Sequence, residues 1–384
     1  MEDWRRGGFG LYVHWPFCGS KCPYCDFNSH VAASIDQAAW ARAYLTEIDR
    51  VGSETVGRRL DTVFFGGGTP SLMDPSLVAA VIERIRTTWA MRNDPEITLE
   101  ANPGSIEAGR FRGYRDAGVT RISMGMQAMN DVDLRKLGRK HTTAEALRAF
   151  EIARNCFDRV SFDLIYARQD QTIIQWKQEL EAALLMAADH ISLYQLTIED
   201  GTAFADRLAK GGLKGLPKDD LAADMYDVTQ EVSDKAGLPA YEISNHAKDG
   251  AESKHNLIYW RGGDYLGVGP GAHGRLTIDG VRWATQAPKP PGVWLNLVNS
   301  GSAGELPREA LSASDHAFEY LMMSLRLREG MDMDRYNNIS PKPISQTRAN
   351  FLQDLGMIAL VNTKLSATPR GRLVLNAIIR ELTA

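Results

Sequence analysis

Cysteine is scarce in this chain, and it has neither long apolar runs nor an excess of one charge. Four cysteines in 384 residues exclude a disulfide-stapled fold, and a chain of this length buries a sufficient core without such staples. No run of eighteen apolar residues occurs, so no transmembrane helix is predicted. The net charge of −4 gives no electrostatic reason to expect a nucleic-acid partner. The polar segment Met1 to Gly8 lacks a signal-peptide pattern, and we expect a cytoplasmic protein.

Three of the cysteines lie close together. Cys18, Cys22 and Cys25 follow the apolar stretch Phe9 to His14, which we predict to be a buried strand. Thiolates are the preferred ligands of soft metals and iron-sulfur clusters, and one short loop with this spacing can reach three irons of a [4Fe-4S] cluster. Phe27 stands where a C-x-C extension would place a fourth cysteine. One iron is therefore predicted to stay open for a small molecule.

Two other interpretations of these cysteines remain open. A structural zinc site could take His14 or His30 as its fourth ligand, although zinc knuckles usually pair C-x2-C with a second, distant pair of ligands that we do not find. The thiols could also carry no ligand. The remaining cysteine, Cys156, lies alone in a helical stretch and is predicted to be a small core residue.

Short β-branched runs alternate with amphipathic stretches over the first two hundred residues. The predicted strands are Phe9 to His14, Thr62 to Phe65, Ile97 to Ala101, Thr120 to Met124, Arg159 to Ile165 and His190 to Leu196. Helices are predicted between them, the first capped by Ser34 with Trp40, Tyr44, Ile48 and Val51 at helical spacing. Serial βα units predict parallel strands with right-handed crossovers, in a barrel or a doubly wound sheet. Periodicity does not choose between these.

The pattern changes after Gly201. A linking turn over Gly211 to Pro217 precedes a predicted helix from Asp219 to Ala236, and Tyr241 to Gly274 is expected to be irregular or strand-like. The proline-rich loop Gln286 to Gly292 marks a boundary, so we predict three segments, 1–210, 211–290 and 291–384. The last segment is predicted to contain helices over Ser312 to Arg328 and Ser345 to Leu355, a hairpin over Met357 to Ser366 and a helix over Pro369 to Leu382. This order resembles a winged helix, for which the acidic chain favours a structural or lid role over DNA binding.

Polar or glycine residues stand at the ends of several predicted strands, where α/β folds place their ligand sites. Three consecutive glycines, Gly66, Gly67 and Gly68, follow the second strand and allow close backbone approach to a ligand. Glu100 ends the third strand, and Gln127 and Arg139 follow the fourth. Asp163 lies inside the apolar fifth strand, where an unpaired carboxylate costs several kcal/mol, so either a protein partner or a ligand is expected there.

These motifs together resemble the radical S-adenosylmethionine (SAM) superfamily, and in particular its branch containing HemN, the oxygen-independent coproporphyrinogen III dehydrogenase, and HemW, described as a haem chaperone. The quoted segments are Tyr12 to Asn28, Phe64 to Pro70, Thr98 to Pro103, Arg121 to Gln127, Asp163 to Tyr166 and Ala367 to Arg372. The resemblance covers nearly the whole chain. It implies an α/β fold with a partial (β/α)6 TIM-like barrel and a mostly helical, winged-helix-like carboxy-terminal domain.

The resemblance also implies a set of site residues. Cys18, Cys22 and Cys25 would hold a [4Fe-4S] cluster whose open iron binds SAM. SAM contacts are implied for Tyr12, Tyr24, Gly67, Gly68, Thr69, Glu100, Gln127, Arg139 and Asp163. One departure is visible, because the usual Gly-Leu-Pro after the Ile-Tyr pair is Ala167-Arg168-Gln169 in this chain. The shape of that loop is therefore open.

Two features favour the HemW side of the branch. The fourth cysteine and the long amino-terminal extension of HemN are both absent from this sequence. The segment Lys254 to Trp260 resembles the H-N-x-x-Y-W motif of HemW, in which the histidine is associated with haem. The resemblance thus implies haem ligation by His255, and neutral imidazole is a good axial ligand. His273 is a second candidate that we interpret as structural.

Three functions are open at this stage. The first is a haem chaperone that binds haem and a SAM-coordinated cluster and passes haem to an acceptor, which would be a respiratory or membrane-associated protein; a homodimer is also considered. The second is an enzyme that cleaves SAM reductively and decarboxylates coproporphyrinogen III. The third is a scaffold whose cluster is only structural. Enzymatic activity is the less favoured expectation.

Overall fold

The computed structural model describes residues 2–105 and 108–383, which form one large sheet with helices around it and a smaller carboxy-terminal unit. The strands are β1 (Phe9–Trp15), β2 (Phe17–Cys18), β3 (His30–Val31), β4 (Arg59–Gly67), β5 (Ala90–Ala101), β6 (Arg121–Gln127), β7 (Arg159–Tyr166), β8 (His190–Gln195), β9 (Asn245–Ala247), β10 (Asp264–Val268), β11 (His273–Ile278), β12 (Val281–Gln286), β13 (Glu309–Ala310), β14 (Met331–Asp332), β15 (Ile358–Val361) and β16 (Lys364–Ala367). The helices are α1 (Gln37–Ser53), α2 (Pro75–Thr88), α3 (Ala108–Ala117), α4 (Asp131–Lys136), α5 (Thr143–Cys156), α6 (Ile173–Met186), α7 (Ala203–Ala209), α8 (Asp219–Lys235), α9 (Lys254–Trp260), α10 (Pro291–Asn299), α11 (Ala313–Ser324), α12 (Met333–Ile339), α13 (Gln346–Asp354), α14 (Pro369–Arg372) and α15 (Leu375–Thr383).

The order of the strands separates a barrel from a doubly wound sheet. The large sheet runs β13-β12-β11-β10-β1-β4-β5-β6-β7-β8-β9, and every pair from β10 to β8 is parallel. From β1 to β8 each strand lies beside the next parallel strand of the chain, whereas a doubly wound sheet reverses its order in the middle. The six strands predicted from the sequence are confirmed. The sheet is an α/β, TIM-like barrel that stays open, because antiparallel strands flank both ends of the parallel array.

The helices cover the outer face of the sheet with the apolar positions that the sequence predicts. In α1, Trp40, Tyr44, Ile48 and Val51 are all buried. The predicted cap of this helix was wrong: the side chain of Asp36, not Ser34, accepts the backbone N–H of Ala39 at 3.0 Å. Helix α1 thus begins two residues later than the Ser34 cap would place it.

The late segment of the chain completes the barrel. Strand β10 pairs in parallel with β1, so the segment after residue 211 supplies a seventh parallel strand next to the first one. The stretch predicted to be irregular also contains α9, a helix of seven residues whose cap is Ser253. The predicted segment boundaries at residues 210 and 290 stay a prediction.

The carboxy-terminal unit has its own apolar core, built around Leu321, Leu325, Met331 and Leu365. It is mostly helical, with a three-stranded sheet in the order β14-β16-β15. The predicted final helix was wrong in one respect, since it is divided into α14 and α15. Across the described residues, no helix is both long and apolar enough to cross a bilayer.

Candidate cluster and SAM site

A cavity of about 430 Å³ lies at the carboxyl ends of the parallel strands. All three clustered cysteines line it, as do most of the residues for which SAM contacts are predicted. Those lining residues are Tyr24, Gly67, Gly68, Thr69, Glu100, Gln127, Arg139 and Asp163. Because parallel strands all end at the same rim, segments far apart in sequence meet there.

The cysteine loop is tied to the strand ends by hydrogen bonds to sulfur. Thr69 Oγ1 donates to Cys18 Sγ at 3.3 Å, and Arg139 Nη1 donates to Cys22 Sγ at 3.4 Å. Burial raises the pKa of the Cys18 and Cys25 thiols. The hydrogen bonds donated by Thr69 and Arg139 stabilise the thiolate form of these cysteines, which is the form that binds iron. The loop is therefore suited to hold a metal centre beside the cavity.

The donor set fits a cluster better than a single zinc ion. Both ring nitrogens of His14 are engaged, with Nδ1 3.0 Å from the Tyr12 hydroxyl and Nε2 donating to Asn28 O at 2.9 Å. Within residues 2–105 and 108–383, no three His, Cys, Asp or Glu side chains are arranged to bind one ion. The thiolates of an iron-sulfur cluster bind different irons and need not converge on one point. The three cysteines meet this requirement of a [4Fe-4S] cluster.

Contacts within the protein restrict the backbone conformation of the glycine segment Gly66 to Gly68. Gly67 has a φ of 108°, and a Cβ on Gly68 would lie 2.6 Å from the carbonyl oxygen of Phe17. The backbone N–H of Gly68 donates to Trp15 O at 2.7 Å, and that of Thr69 donates to Phe17 O at 2.8 Å. Because these backbone N–H groups already donate within the protein, the groups that this segment can offer to a ligand are its carbonyl oxygens. Carbonyl oxygens suit a ligand ammonium group such as the methionyl amine of SAM.

Two half-buried carboxyl groups, Glu100 and Asp163, face the same cavity. Burial, together with the neighbouring charge of Asp163, raises the pKa of Glu100 to about 8. Burial also raises the pKa of Asp163 to about 6. Glu100 accepts the backbone N–H of Gly67 at 3.2 Å, and Asp163 Oδ1 has no hydrogen-bond partner in the described part of the chain. Buried acceptors of this kind are stabilised by a cationic ligand, and SAM carries an ammonium and a sulfonium group.

The end of β6 is strained at the cavity wall. Gln127 has a φ of 73°, and the pairing of β6 with β7 shifts register between Met124 and Gln127. Arg139 Nη2 donates to the carbonyl oxygen of Gly125 at 2.9 Å. A non-glycine residue in the left-handed region costs energy and is common at binding sites. Gln127, at the end of this irregular stretch, and Arg139 both line the cavity.

Tyr12 and His255 do not line this cavity. Tyr12 lies beneath it on β1, with its ring stacked on Phe64 at a centroid distance of 6.2 Å. Its hydroxyl contacts His14, as described above. The predicted contact of Tyr12 with SAM therefore stays a prediction, and the structure places Tyr12 as a support for the strand ends.

His255 lies at the opposite, amino-terminal side of the barrel. It is 1% exposed, Nδ1 is 2.7 Å from Thr62 Oγ1, and Nε2 is 2.6 Å from the Tyr259 hydroxyl. Its backbone N–H donates to Glu96 Oε1 at 3.0 Å. Burial lowers the pKa of His255 to about 3, so the ring is neutral. Neither ring nitrogen of His255 is free to bind iron in this structure.

One buried residue of the site region was missed by sequence analysis. Arg168, in the Ala167-Arg168-Gln169 departure, is 3% exposed and pairs with Asp133 Oδ2 at 2.8 Å and Glu179 Oε2 at 2.5 Å. Glu179 also accepts the backbone N–H of Met129 at 2.6 Å. Arg168 thus joins the loop after β7 to the segment after β6. A lone arginine in a loop carries no sequence signal for such burial.

Comparisons with known proteins agree with this geometry. Residues 12–183 match the Radical SAM superfamily model, and residues 311–374 match the HemN C-terminal domain. A Bos taurus protein named "Radical S-adenosyl methionine domain-containing protein 1, mitochondrial" is 37% identical over 97% of this chain and 86% of its own length. The Haemophilus influenzae "Heme chaperone HemW" is 37% identical over 96% of each chain. The Escherichia coli protein of the same name is 38% identical over 83% of this chain and 82% of its own length.

A solved structure shares the fold across both units. Escherichia coli coproporphyrinogen III oxidase (HemN), a radical SAM enzyme, has a TM-score of 0.81 and 22% identity, covering 98% of this chain and 90% of that chain. At this identity the similarity shows the fold alone. An open barrel with a three-cysteine loop at its strand ends defines a radical SAM protein. Within that superfamily the chain belongs to the family that contains HemW, which confirms the resemblance seen in the sequence. Membership implies a [4Fe-4S] cluster and SAM.

Proposed function

We propose that this protein is a haem chaperone that binds haem, holds a SAM-coordinated [4Fe-4S] cluster and passes haem to an acceptor protein. The observation that carries the cluster and SAM part is the single cavity shared by Cys18, Cys22 and Cys25 with Glu100 and Asp163. The haem part rests on relatives named as haem chaperones at 33–38% identity over most of the chain.

The proposed roles of the site residues follow from the chemistry of their atoms. Cys18, Cys22 and Cys25 would hold three irons, and the group bound to the open iron would occupy the cavity next to them. Glu100 and Asp163 would hold the ligand's positive charges, and Arg139 would face a carboxylate. When bound, the cluster supplies one-electron chemistry at the open iron. The protein's own contribution would be to orient SAM and to place the two cavity carboxyl groups beside its positive charges.

His255 is the proposed haem ligand that the motif suggests, and the structure sets a condition on that role. Haem iron can reach Nε2 only after the bond to Tyr259 is broken and α9 leaves the floor of the barrel. Binding of haem iron to His255 would therefore be slow, because it would have to replace the hydrogen bond between the His255 ring and Tyr259.

A haemin titration tests the haem function. The reconstituted parent protein is expected to give a saturable Soret shift and to transfer haem to an apo-cytochrome faster than free haemin does. A protein that gives no saturable shift would not be a haem chaperone. If His255 is the ligand, His255→Ala loses the shift.

The alternative function is oxygen-independent coproporphyrinogen III dehydrogenase. The likeness to HemN extends to the fold, and Phe27 occupies the position of the fourth cysteine. Anaerobic incubation of the reconstituted protein with coproporphyrinogen III, SAM and a reductant separates the two proposals. Decarboxylated product would favour the enzyme, and its absence together with haem binding would favour the chaperone.

The acceptor and the cellular location belong to the same proposal. We infer a cytoplasmic protein whose acceptor is a respiratory or membrane-associated haemoprotein, while several relatives carry the word mitochondrial in their names. A homodimer is also proposed. Haem transfer measured with and without membrane vesicles, together with the mass of the protein in solution, tests these points.

A further inference from the structure

A haem chaperone needs an accessible ligand for iron, and few imidazoles of this chain are accessible. The sequence contains eight histidines, all within the described residues. Five are buried, namely His14, His141, His190, His246 and His255. The Nε2 atom of His316 is also shielded from solvent. Only His30 and His273 are exposed.

These two exposed histidines differ in the freedom of their rings. His30 Nε2 lies 3.1 Å from Asn28 Oδ1, so its ring is held by the cysteine loop. His273, the first residue of β11, has no hydrogen bond to either ring nitrogen within the described part of the chain. Burial, with the charges of Arg275 and Lys289 as lesser causes, lowers the pKa of His273, which keeps the ring in its neutral, ligating form. His273 therefore meets the requirements of an axial ligand without any rearrangement.

The surroundings of His273 belong to the cluster side of the barrel. Asn28 Nδ2 donates to Pro270 O at 2.9 Å and to Lys289 O at 2.9 Å, which fastens the cysteine loop to the turn before β11. The backbone N–H of Gly271 donates to Pro288 O at 2.9 Å, which closes the same corner. His273 thus lies beside the loop that carries the three cysteines.

This corner of the molecule also presents apolar and basic side chains. Phe27 is 59% exposed and Val31 is 61% exposed, both on the cysteine loop or its short ladder β2-β3. Lys289 is exposed next to His273. A porphyrin uses an imidazole for its iron, apolar contact for its face and a cation near its propionates. His273, Phe27 with Val31, and Lys289 offer these groups at this corner.

We propose that haem docks on the surface formed by Phe27, Val31, His273 and Lys289, with His273 as the axial ligand. This inference rests on the proposed haem-chaperone function and changes the ligand from His255 to His273. Haem would then lie next to the cysteine loop, where binding of the cluster or SAM can alter the position of Asn28 and hence the docking surface. His255 would keep a structural role in the barrel floor.

Haemin titration of the parent and four full-length variants tests the inference, with the cluster reconstituted in each. His273→Ala is expected to raise the haem Kd roughly tenfold or more and to remove the absorption bands of histidine-ligated ferric haem, while added imidazole restores those bands. His30→Ala, the matched control at the other exposed histidine, whose ring is held by Asn28, is expected to change the Kd less than about threefold. Lys289→Glu is expected to weaken binding in a salt-dependent manner.

His255→Ala distinguishes this inference from the proposed function. If the parent binds no haem, the proposed function fails. If the parent binds haem and His273→Ala binds it equally well, the inference is overturned while the function stands. Loss of binding in His255→Ala with a normal far-UV circular dichroism spectrum would return the ligand to the motif histidine. Retention of cluster absorbance in His273→Ala confirms that the variant is folded.

Discussion

The hydroxyl oxygen of Tyr259 lies 2.6 Å from Nε2 of His255, one helical turn earlier in α9. With Thr62 bonded to the other ring nitrogen, the imidazole is held at both ends inside the barrel floor. The side chains of an H-x-x-x-Y pair lie on one face of a helix, so this contact is local and needs no ligand to form. The motif that suggests haem binding thus also builds a buried polar contact.

Acid is expected to destabilise the protein through His255. Its folded pKa is about 3, below the value of about 6.5 of an exposed histidine, because burial disfavours the charged ring. The unfolded state therefore binds more protons as the pH falls below about 6.5, and the free energy of unfolding decreases with it. Chemical denaturation at pH 7.5 and pH 5 measures this. His255→Gln should show a smaller difference between the two pH values; an unchanged difference would contradict the assignment.

Tyr259→Phe removes one bond to the ring and leaves the helix otherwise intact. We expect a loss of about 1–2 kcal/mol in the free energy of unfolding, because a buried ring nitrogen is left without a partner. The same variant separates the two haem ligands in a haemin titration. If His255 binds iron, haem affinity rises because Nε2 is freed; if His273 binds iron, affinity is unchanged.

Each of the three clustered cysteines is expected to be necessary for the cluster. Cys18→Ser, Cys22→Ser and Cys25→Ser should each lose most bound iron and inorganic sulfide after anaerobic reconstitution, since serine is a poor ligand for iron-sulfur clusters. Cys156→Ser is the matched control and should keep the full content. A clustered cysteine whose replacement leaves iron and sulfide unchanged would not be a ligand.

SAM affinity is expected to rise with pH between about 5 and 7. Burial raises the pKa of Asp163 to about 6, and only the ionised carboxylate holds a cationic ligand well. Asp163→Asn should bind SAM more weakly at pH 7, by roughly tenfold, and should lose the pH dependence. Calorimetry of the reconstituted protein measures both effects. The exposed cavity residue Glu199 offers a control, Glu199→Gln, which should retain the parent's pH profile.

Ala167 occupies a backbone conformation that favours glycine. Its φ is 57°, in the left-handed region, and the family resemblance places glycine at this position. Ala167→Gly is expected to raise the free energy of unfolding by roughly 0.5–1 kcal/mol, the difference between relieved strain and added freedom of the unfolded chain. Urea denaturation measures the change, and a destabilised variant would contradict the strain argument. Leu164→Ala, a buried truncation in the preceding strand β7, should instead lose stability.

Much of the barrel follows from local sequence signals. Strands such as Phe9–Trp15 and Arg159–Tyr166 are short apolar runs between helices with clear caps, and the strand ends carry Glu100, Gln127 and Asp163. Parallel strands place their carboxyl ends at one rim of the barrel. Once the strands are predicted, the meeting of these three residues in one cavity can be predicted as well.

Other features depend on contacts that no local pattern encodes. The pairing of β10 with β1 places Leu266 beside Leu11, although the two residues are far apart in sequence. This pairing makes the late segment part of the barrel. Helix α9 has only seven residues, so its periodicity is too short to separate it from an irregular aromatic stretch. The burial of His255 is a property of the assembled floor, contributed by β4, β5 and α9 together. Exposure of a motif histidine cannot be deduced from the motif.

The central claim is a cluster held by Cys18, Cys22 and Cys25 with one iron open to SAM. Anaerobic reconstitution followed by iron and sulfide analysis, and by EPR of the reduced protein with and without SAM, tests it most directly. The account predicts about four irons and four sulfides per chain and an EPR signal that changes on addition of SAM. Stoichiometric zinc without sulfide, or a cluster signal that SAM leaves unchanged, would contradict it.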